Sequence, residues 1–206
     1  MVRRFSGSQD YWEERYARGG NSGRGSSGEL AAFKAEFLNG FVREQEIATV
    51  IEFGCGDGSQ LSLGKYPRYI GLDVAKTALV LCRDRFAEDP GKSFFLYEPD
   101  VFVDRHAIFR AELGLSLDVI YHLTEDHVYH RYMEHLFGSA ERFVIIYSSD
   151  VEAPYPQPHI RHRHFSSWVP RHRPDWRLVR RVPNPHAVSP DHRSGSFADF
   201  SVFQRA

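Results

Sequence analysis

Apolar positions along the middle of the chain switch between two periods. Leu30, Phe33, Phe37 and Phe41, with Leu38 and Val42 beside them, recur every three or four residues and predict an amphipathic helix. Thr49-Val50-Ile51-Glu52-Phe53 is a β-branched run closed by a glycine and predicts a strand. The alternation continues with strands at 69–73, 94–97 and 113–117 and helices at about 76–86 and 125–137. Phe143-Val144-Ile145-Ile146-Tyr147 then reads as a fully buried strand. Strands separated by helices predict an α/β, Rossmann-like, doubly wound and mostly parallel sheet with helices on both faces. Beyond residue 150 the pattern changes. Pro154, Pro156 and Pro158 punctuate a loop, 165–172 predicts a helix, and 177–182 and 197–203 predict an antiparallel hairpin at the sheet edge, joined by a Pro- and His-rich turn region. Ahead of the core, residues 9–16 predict a short helix carrying Trp12 and Tyr16 one turn apart. Five glycines in the ten positions 19–28 then predict a mobile loop able to act as a lid.

Length and composition narrow this picture. Residues 1–206 fit one domain: helix and lid at 9–28, core at 29–150, and a substrate-side loop with terminal hairpin at 151–206. With 42% hydrophobic and 26% charged residues, a disordered or collagen-like chain is excluded. Cys55 and Cys82 are too few for a disulfide framework, and no apolar run approaches a membrane span. The basic start, Met1 to Arg4, has no apolar stretch behind it, so a cytoplasmic protein without a leader is expected. The net charge of −1 is uneven. Residues 151–206 hold nine arginines, no lysine and four acids, giving +5 and leaving −6 for the first 150. Such a segment is either a solvated surface or a face for an anionic partner such as nucleic acid.

The chemistry concentrates at Glu52-Phe53-Gly54-Cys55-Gly56-Asp57-Gly58-Ser59, directly after the first predicted strand. Glycines there let the chain turn sharply and let a ligand lie against the backbone. Asp73 follows nineteen residues after Gly54, where a carboxylate can hold both ribose hydroxyls of an adenosine. A dinucleotide fingerprint fails in both registers, because Ser59 and Leu61 occupy the sixth positions. The 19–28 loop lacks the Gly-Lys-Ser/Thr ending of a phosphate loop.

The Glu-x-Gly-x-Gly-x-Gly pattern resembles motif I of the class I S-adenosylmethionine-dependent methyltransferases. Tyr69-Ile70-Gly71-Leu72-Asp73-Val74 resembles that family's second strand with its ribose-binding acid. Residues 115–123 resemble its fourth-strand motif, and 143–150 its fifth strand. The resemblance implies an enzyme that binds S-adenosyl-L-methionine through Glu52, Gly54, Cys55, Gly56, Asp73, Val74, Asp100, Val101, Ser116 and Leu117. Trp12 and Tyr16 are similar to an aromatic pair that covers the cofactor in thiopurine-type methyltransferases, and aromatic faces attract a sulfonium. Glu52 or Asp57 can offset the cofactor's positive charge.

Asp118 and His122 carry the expected catalysis, with His122 as general base toward a hydroxyl. Catechol and small-RNA methyltransferases have a Glu-x-x-Glu-His metal site there. This chain reads Asp118-x-x-Tyr121-His122 and lacks the middle carboxylate, so no metal is expected. His159, Arg161 and Arg163 follow the fifth strand and are expected on the acceptor side, where arginines can grip a carboxylate or phosphate. The function expected is O-methylation of a small molecule or a glycan hydroxyl by a monomer or homodimer, with no membrane. Two alternatives stand beside it: an RNA-directed methyltransferase using the basic C-terminal region, and a non-catalytic cofactor-binding scaffold.

Overall fold

The computed structural model describes residues 7–188 and 195–206. The basic start of the chain and the middle of the Pro- and His-rich turn region therefore lie outside the described residues. Seven strands form one sheet: β1 (Thr49–Phe53), β2 (Arg68–Asp73), β3 (Lys92–Leu96), β4 (Ala111–Leu117), β5 (Ala140–Ser148), β6 (Trp176–Val182) and β7 (Asp199–Arg205). Their order is β3-β2-β1-β4-β5-β7-β6. The first five run parallel, and β7 pairs antiparallel with both β5 and β6. The strand order reverses between β1 and β4, which creates the topological switch point where ligands bind in such sheets.

Side-chain alternation along the strands divides the core in two. One layer joins Val50, Leu113, Leu115, Ile145 and Val202 to Leu38, Phe41 and Val42 of α2 (Gly28–Glu44) and Cys82 of α3 (Lys76–Arg85). The other joins Ile51, Phe53, Val144 and Ile146 to α4 (Asp126–Ser139) and α5 (Phe165–His172). Both faces are thus helix-covered, as the two periods predict. Two connections depart from strict alternation: β1 passes to β2 through residues 54–67 with only a 3₁₀ turn at Leu61–Leu63, and β3 passes to β4 through residues 97–110 without a helix. Tyr97, Phe102 and Phe109 turn inward from that loop and fill the place a helix would take, leaving Val101, Val103 and Ile108 exposed. Among the described residues no helix is long and apolar enough to cross a membrane.

Candidate active site

A crevice of about 290 Å³ opens at the switch point, beyond the carboxyl ends of β1, β2 and β4, at the small end of the range for small-molecule sites. Its first wall is the turn after β1. Gly54 and Gly56 have φ of 85° and 58°, where a side chain is strained. A Cβ on Gly56 would lie 2.3 Å from the Ser22 hydroxyl oxygen, so this turn and the 19–28 loop meet with no room to spare. The Asp73 carboxylate receives the Gly56 and Ala75 amides at 2.8 and 2.9 Å and so locks the turn to the end of β2. Burial pushes Asp73 up to about 6 despite those donors. Burial likewise pushes Glu52 up to about 7, although the Tyr69 hydroxyl donates to it at 2.7 Å and Lys34 lies nearby.

The 19–28 loop is held by an acid of the same motif. Asp57 accepts the Ser22 hydroxyl at 2.8 Å and the Ser59 amide at 2.9 Å, and the Tyr16 hydroxyl meets Ser22 at 2.9 Å. Asp57 therefore fastens the loop and does not line the crevice, whereas Glu52 does. α1 (Ser8–Ala17) places Trp12 and Tyr16 along the crevice with ring centroids 5.8 Å apart.

The second wall is the turn after β4. Lys34 of α2 is 1% exposed, and its ammonium lies 2.5 Å from the Asp118 carboxylate and over the Tyr147 ring. Tyr121 donates to the other Asp118 oxygen at 2.8 Å. The Asp118 backbone has φ of 60°, so the carboxylate is held at a position where the backbone is strained. Four residues on, the His122 Nδ1 lies 2.9 Å from the His159 carbonyl oxygen. A carbonyl only accepts, so Nδ1 carries the proton and Nε2 is the basic nitrogen. Burial lowers His122 to about 4, which keeps it neutral at physiological pH. Trp12 meets its ring edge-on at 4.9 Å, and Tyr11 stacks on His159 at 4.5 Å.

No family model matches the chain. Solved structures do. The N-methyltransferase NodS from Bradyrhizobium japonicum WM9, in complex with S-adenosyl-L-homocysteine, aligns with a TM-score of 0.73 at 14% identity, covering 97% of this chain and 99% of that one. Magnesium protoporphyrin IX methyltransferase from Synechocystis PCC 6803 gives 0.67 at 14% identity, covering 96% and 98%. The methyltransferase domain of bacterial CtHen1-C gives 0.64 at 20% identity, covering 84% and 97%. The chain has the fold of the S-adenosylmethionine-dependent methyltransferases. A curated relative, a small RNA 2′-O-methyltransferase of Arabidopsis thaliana, is 29% identical over 108 residues, which are 47% of this chain and 12% of the plant protein.

Within this methyltransferase fold, Trp12, Tyr16, Glu52, Gly54, Cys55, Gly56, Asp73, Val74, Asp100, Leu117, Asp118 and His122 all line the crevice. Five expected site residues are placed otherwise: His159 does not line the crevice but stacks on Tyr11 and offers its carbonyl to His122. Val101 is 68% exposed and points away from the crevice. Ser116 is buried beneath it, its hydroxyl taken by Tyr132 at 2.7 Å. Arg163 is buried against the Leu123 and Thr124 carbonyls and the Asp126 carboxylate, so its guanidinium is spent on fastening the start of α4. Arg161 reaches the same Asp126 at 3.0 Å. Of the nine C-terminal arginines, Arg161 and Arg163 share Asp126 and Arg181 pairs with Asp150, while Arg173 and Arg205 share Asp175 of the same segment, so two carboxylates from outside the segment offset part of the +5. Among the described residues no three His, Cys, Asp or Glu side chains are grouped to hold a metal ion.

Lys34, Gln60, Tyr97 and Tyr132 were not legible as crevice residues. Lys34 sits at an apolar-face position of α2, and a lone lysine in an apolar stripe was the one available signal. Gln60 donates its amide to the Ala31 carbonyl at 3.1 Å, and its Oε1 is buried without a hydrogen-bond partner among the described residues.

Proposed function

We propose that this protein is an S-adenosylmethionine-dependent methyltransferase acting on a hydroxyl of a small molecule or sugar. The crevice residues fit that cofactor. Asp73 offers a buried carboxylate to ribose hydroxyls, and the Gly54–Gly56 turn is bare enough for a ligand to lie on the backbone. Glu52 and the Trp12 and Tyr16 rings suit a cationic, phosphate-free ligand. When bound, S-adenosylmethionine supplies an electrophilic methyl on sulfur, and a neutral thioether leaves as the new bond forms.

The chain's own residues align and deprotonate. Holding the reactants in near-attack geometry accounts for about 7–11 kcal/mol in well-oriented systems. The observation that carries the hydroxyl reading is the fixed tautomer of His122. Its Nδ1–H is bonded to the His159 carbonyl, so Nε2 is the nitrogen that takes the hydroxyl proton as the oxygen–carbon bond forms. A hydroxyl oxygen gaining a methyl becomes strongly acidic, so a weak base with a pKa of about 4 suffices, and its neutrality at pH 7 keeps it ready. The name of the plant relative supports a second reading with the same chemistry, in which the hydroxyl is a ribose 2′-OH of RNA.

The test offers labelled S-adenosylmethionine with hydroxylated sugars, phenols and short RNAs. Incorporation into a hydroxyl, lost in His122→Ala, is the expected result. Absence of S-adenosylhomocysteine binding by calorimetry overturns the whole reading, and transfer restricted to amines overturns the hydroxyl assignment.

A further inference from the structure

His122 owes its tautomer to the His159 carbonyl, so whatever fixes residue 159 fixes the basic nitrogen. Residue 159 lies in the segment 149–164 between β5 and α5, which belongs to no strand or helix. Pro154, Pro156 and Pro158 remove three amides that could anchor it. The Ile160 amide, part of the same peptide unit as the 159 carbonyl, closes a turn onto the Gln157 carbonyl at 3.0 Å, with Pro158 at its second position. Behind the turn, the Arg161 amide donates to the Tyr121 carbonyl at 2.8 Å, and its guanidinium reaches Asp126. The front of the turn is held by rings. The His159 imidazole lies 4.5 Å from the Tyr11 ring with planes 12° apart, and 5.7 Å from the His122 ring with planes 13° apart. Three nearly parallel rings thus link α1 to the turn and the turn to His122.

α1 buries only Ser8 and Tyr16, so it docks through a few groups and not through an apolar stripe. Glu13 accepts the Thr77 amide and hydroxyl at 3.1 and 2.6 Å at the start of α3. The Ser8 amide donates to Glu125 at 2.9 Å, just ahead of α4. Docked this way, α1 brings two consecutive residues to two histidines: Tyr11 stacks on His159, and Trp12 meets His122 edge-on at 4.9 Å. Trp12 lines the crevice and Tyr11 does not, so contact with a bound ligand does not account for Tyr11. Resting on the function proposed above, we infer that Tyr11 is a positioning residue for methyl transfer: by stacking on His159 it holds the carbonyl that keeps the proton on His122 Nδ1 and leaves Nε2 bare toward the acceptor hydroxyl. The two tautomers of a neutral imidazole differ in the place of one proton, and the hydrogen bond at one nitrogen selects between them. Loosening residue 159 therefore releases part of the His122 population into the form whose Nε2 carries a proton and accepts none.

NMR of the ligand-free protein carrying isotope-labelled histidine reads the tautomer directly, with His122→Gln assigning the signals. The wild type should show a protonated Nδ1 and a bare Nε2. Tyr11→Ala should mix the two tautomers, and Tyr11→Phe, which keeps the stack, should retain the wild-type one. In transfer to a hydroxyl acceptor, Tyr11→Ala should lower kcat about tenfold or more, while KM for S-adenosylmethionine stays within about twofold. Unaltered His122 signals in Tyr11→Ala overturn the inference, as does an equal loss of the tautomer in Tyr11→Phe or an unchanged kcat beside mixed tautomers. Should Tyr11→Ala not fold, His159→Ala decides, since it keeps the carbonyl, deletes the ring and should mix the tautomers in the same way. Absence of S-adenosylhomocysteine binding removes the parent reading and the catalytic half of this one, whereas unaltered histidine signals remove this one alone.

Discussion

The two walls of the crevice are built on different plans. The wall after β1 and β2 is closed by near neighbours: Gly56 and Asp73 are 17 positions apart, and Asp73 and Ala75 two. The wall after β4 is closed from afar. Asp118 depends on Lys34, 84 positions earlier, and His122 on a carbonyl 37 positions later. The first wall is a backbone cradle with two buried carboxylates, Glu52 and Asp73. The second is a set of side chains whose charges and tautomers are imposed by distant segments. A backbone cradle can thus be written into one short motif, whereas a buried ion pair needs the assembled fold.

Perturbing each wall separately sharpens that contrast. The largest effect belongs to Lys34→Met, which strands the Asp118 carboxylate without its cation. A loss of about 3–5 kcal/mol in chemical denaturation is expected, as for other broken buried pairs. Loss under about 1 kcal/mol would show that the second wall does not hang on α2. Next comes His122→Ala, expected to lower kcat by about a hundredfold or more while S-adenosylhomocysteine affinity changes by less than about twofold. An equal fall in affinity would erase the division of labour. Asp73→Ala should do the reverse, weakening cofactor binding at least about tenfold in calorimetry. Unchanged affinity would take Asp73 out of the site.

The smallest expected effect is a pH trend. Glu52 and Asp73 sit near 7 and 6, above ordinary carboxylates, so the ligand-free protein takes up protons as pH falls through that window. Their contribution to folding stability is therefore greatest below the ordinary carboxylate range and is lost as pH rises through 6 to 7. Binding the ligand's ammonium group runs the other way, because it needs an ionised carboxylate beside it. Affinity for S-adenosylhomocysteine should fall about fivefold from pH 7.5 to 5.5, with a flatter slope in Glu52→Gln. A slope that Glu52→Gln leaves unaltered would assign the trend elsewhere.

The difference between the walls also explains what could be read in the chain beforehand. The glycine turn, Asp73 and the sheet were legible because local spacing determines them, and even the antiparallel edge followed from two apolar runs near the C-terminus. Asp118 and His122 were legible as positions, but the partners that tune them were not. Nothing in local pattern distinguishes Lys34, inside an amphipathic helix, from a lysine whose charge reaches solvent. Arg163 misled for the same reason. Alternation placed it correctly on one face with Arg161, yet which carboxylate and carbonyls meet that face is a fact of tertiary packing. Ser116 and Val101 failed on orientation, since Tyr132 takes one from below and the helix-free 97–110 loop turns the other outward.

The 84-residue span between Lys34 and Asp118 has a further consequence for how the molecule comes into being. A chain synthesised only through β3 already possesses every partner of the Gly56–Asp73 clasp. Asp118, Tyr121 and the carbonyl that orients His122 emerge later and must close far longer loops against entropy. Under the function proposed above, the order of assembly runs from grip to reactivity: the growing polypeptide acquires the means to hold a nucleoside before it acquires the means to act on a second molecule.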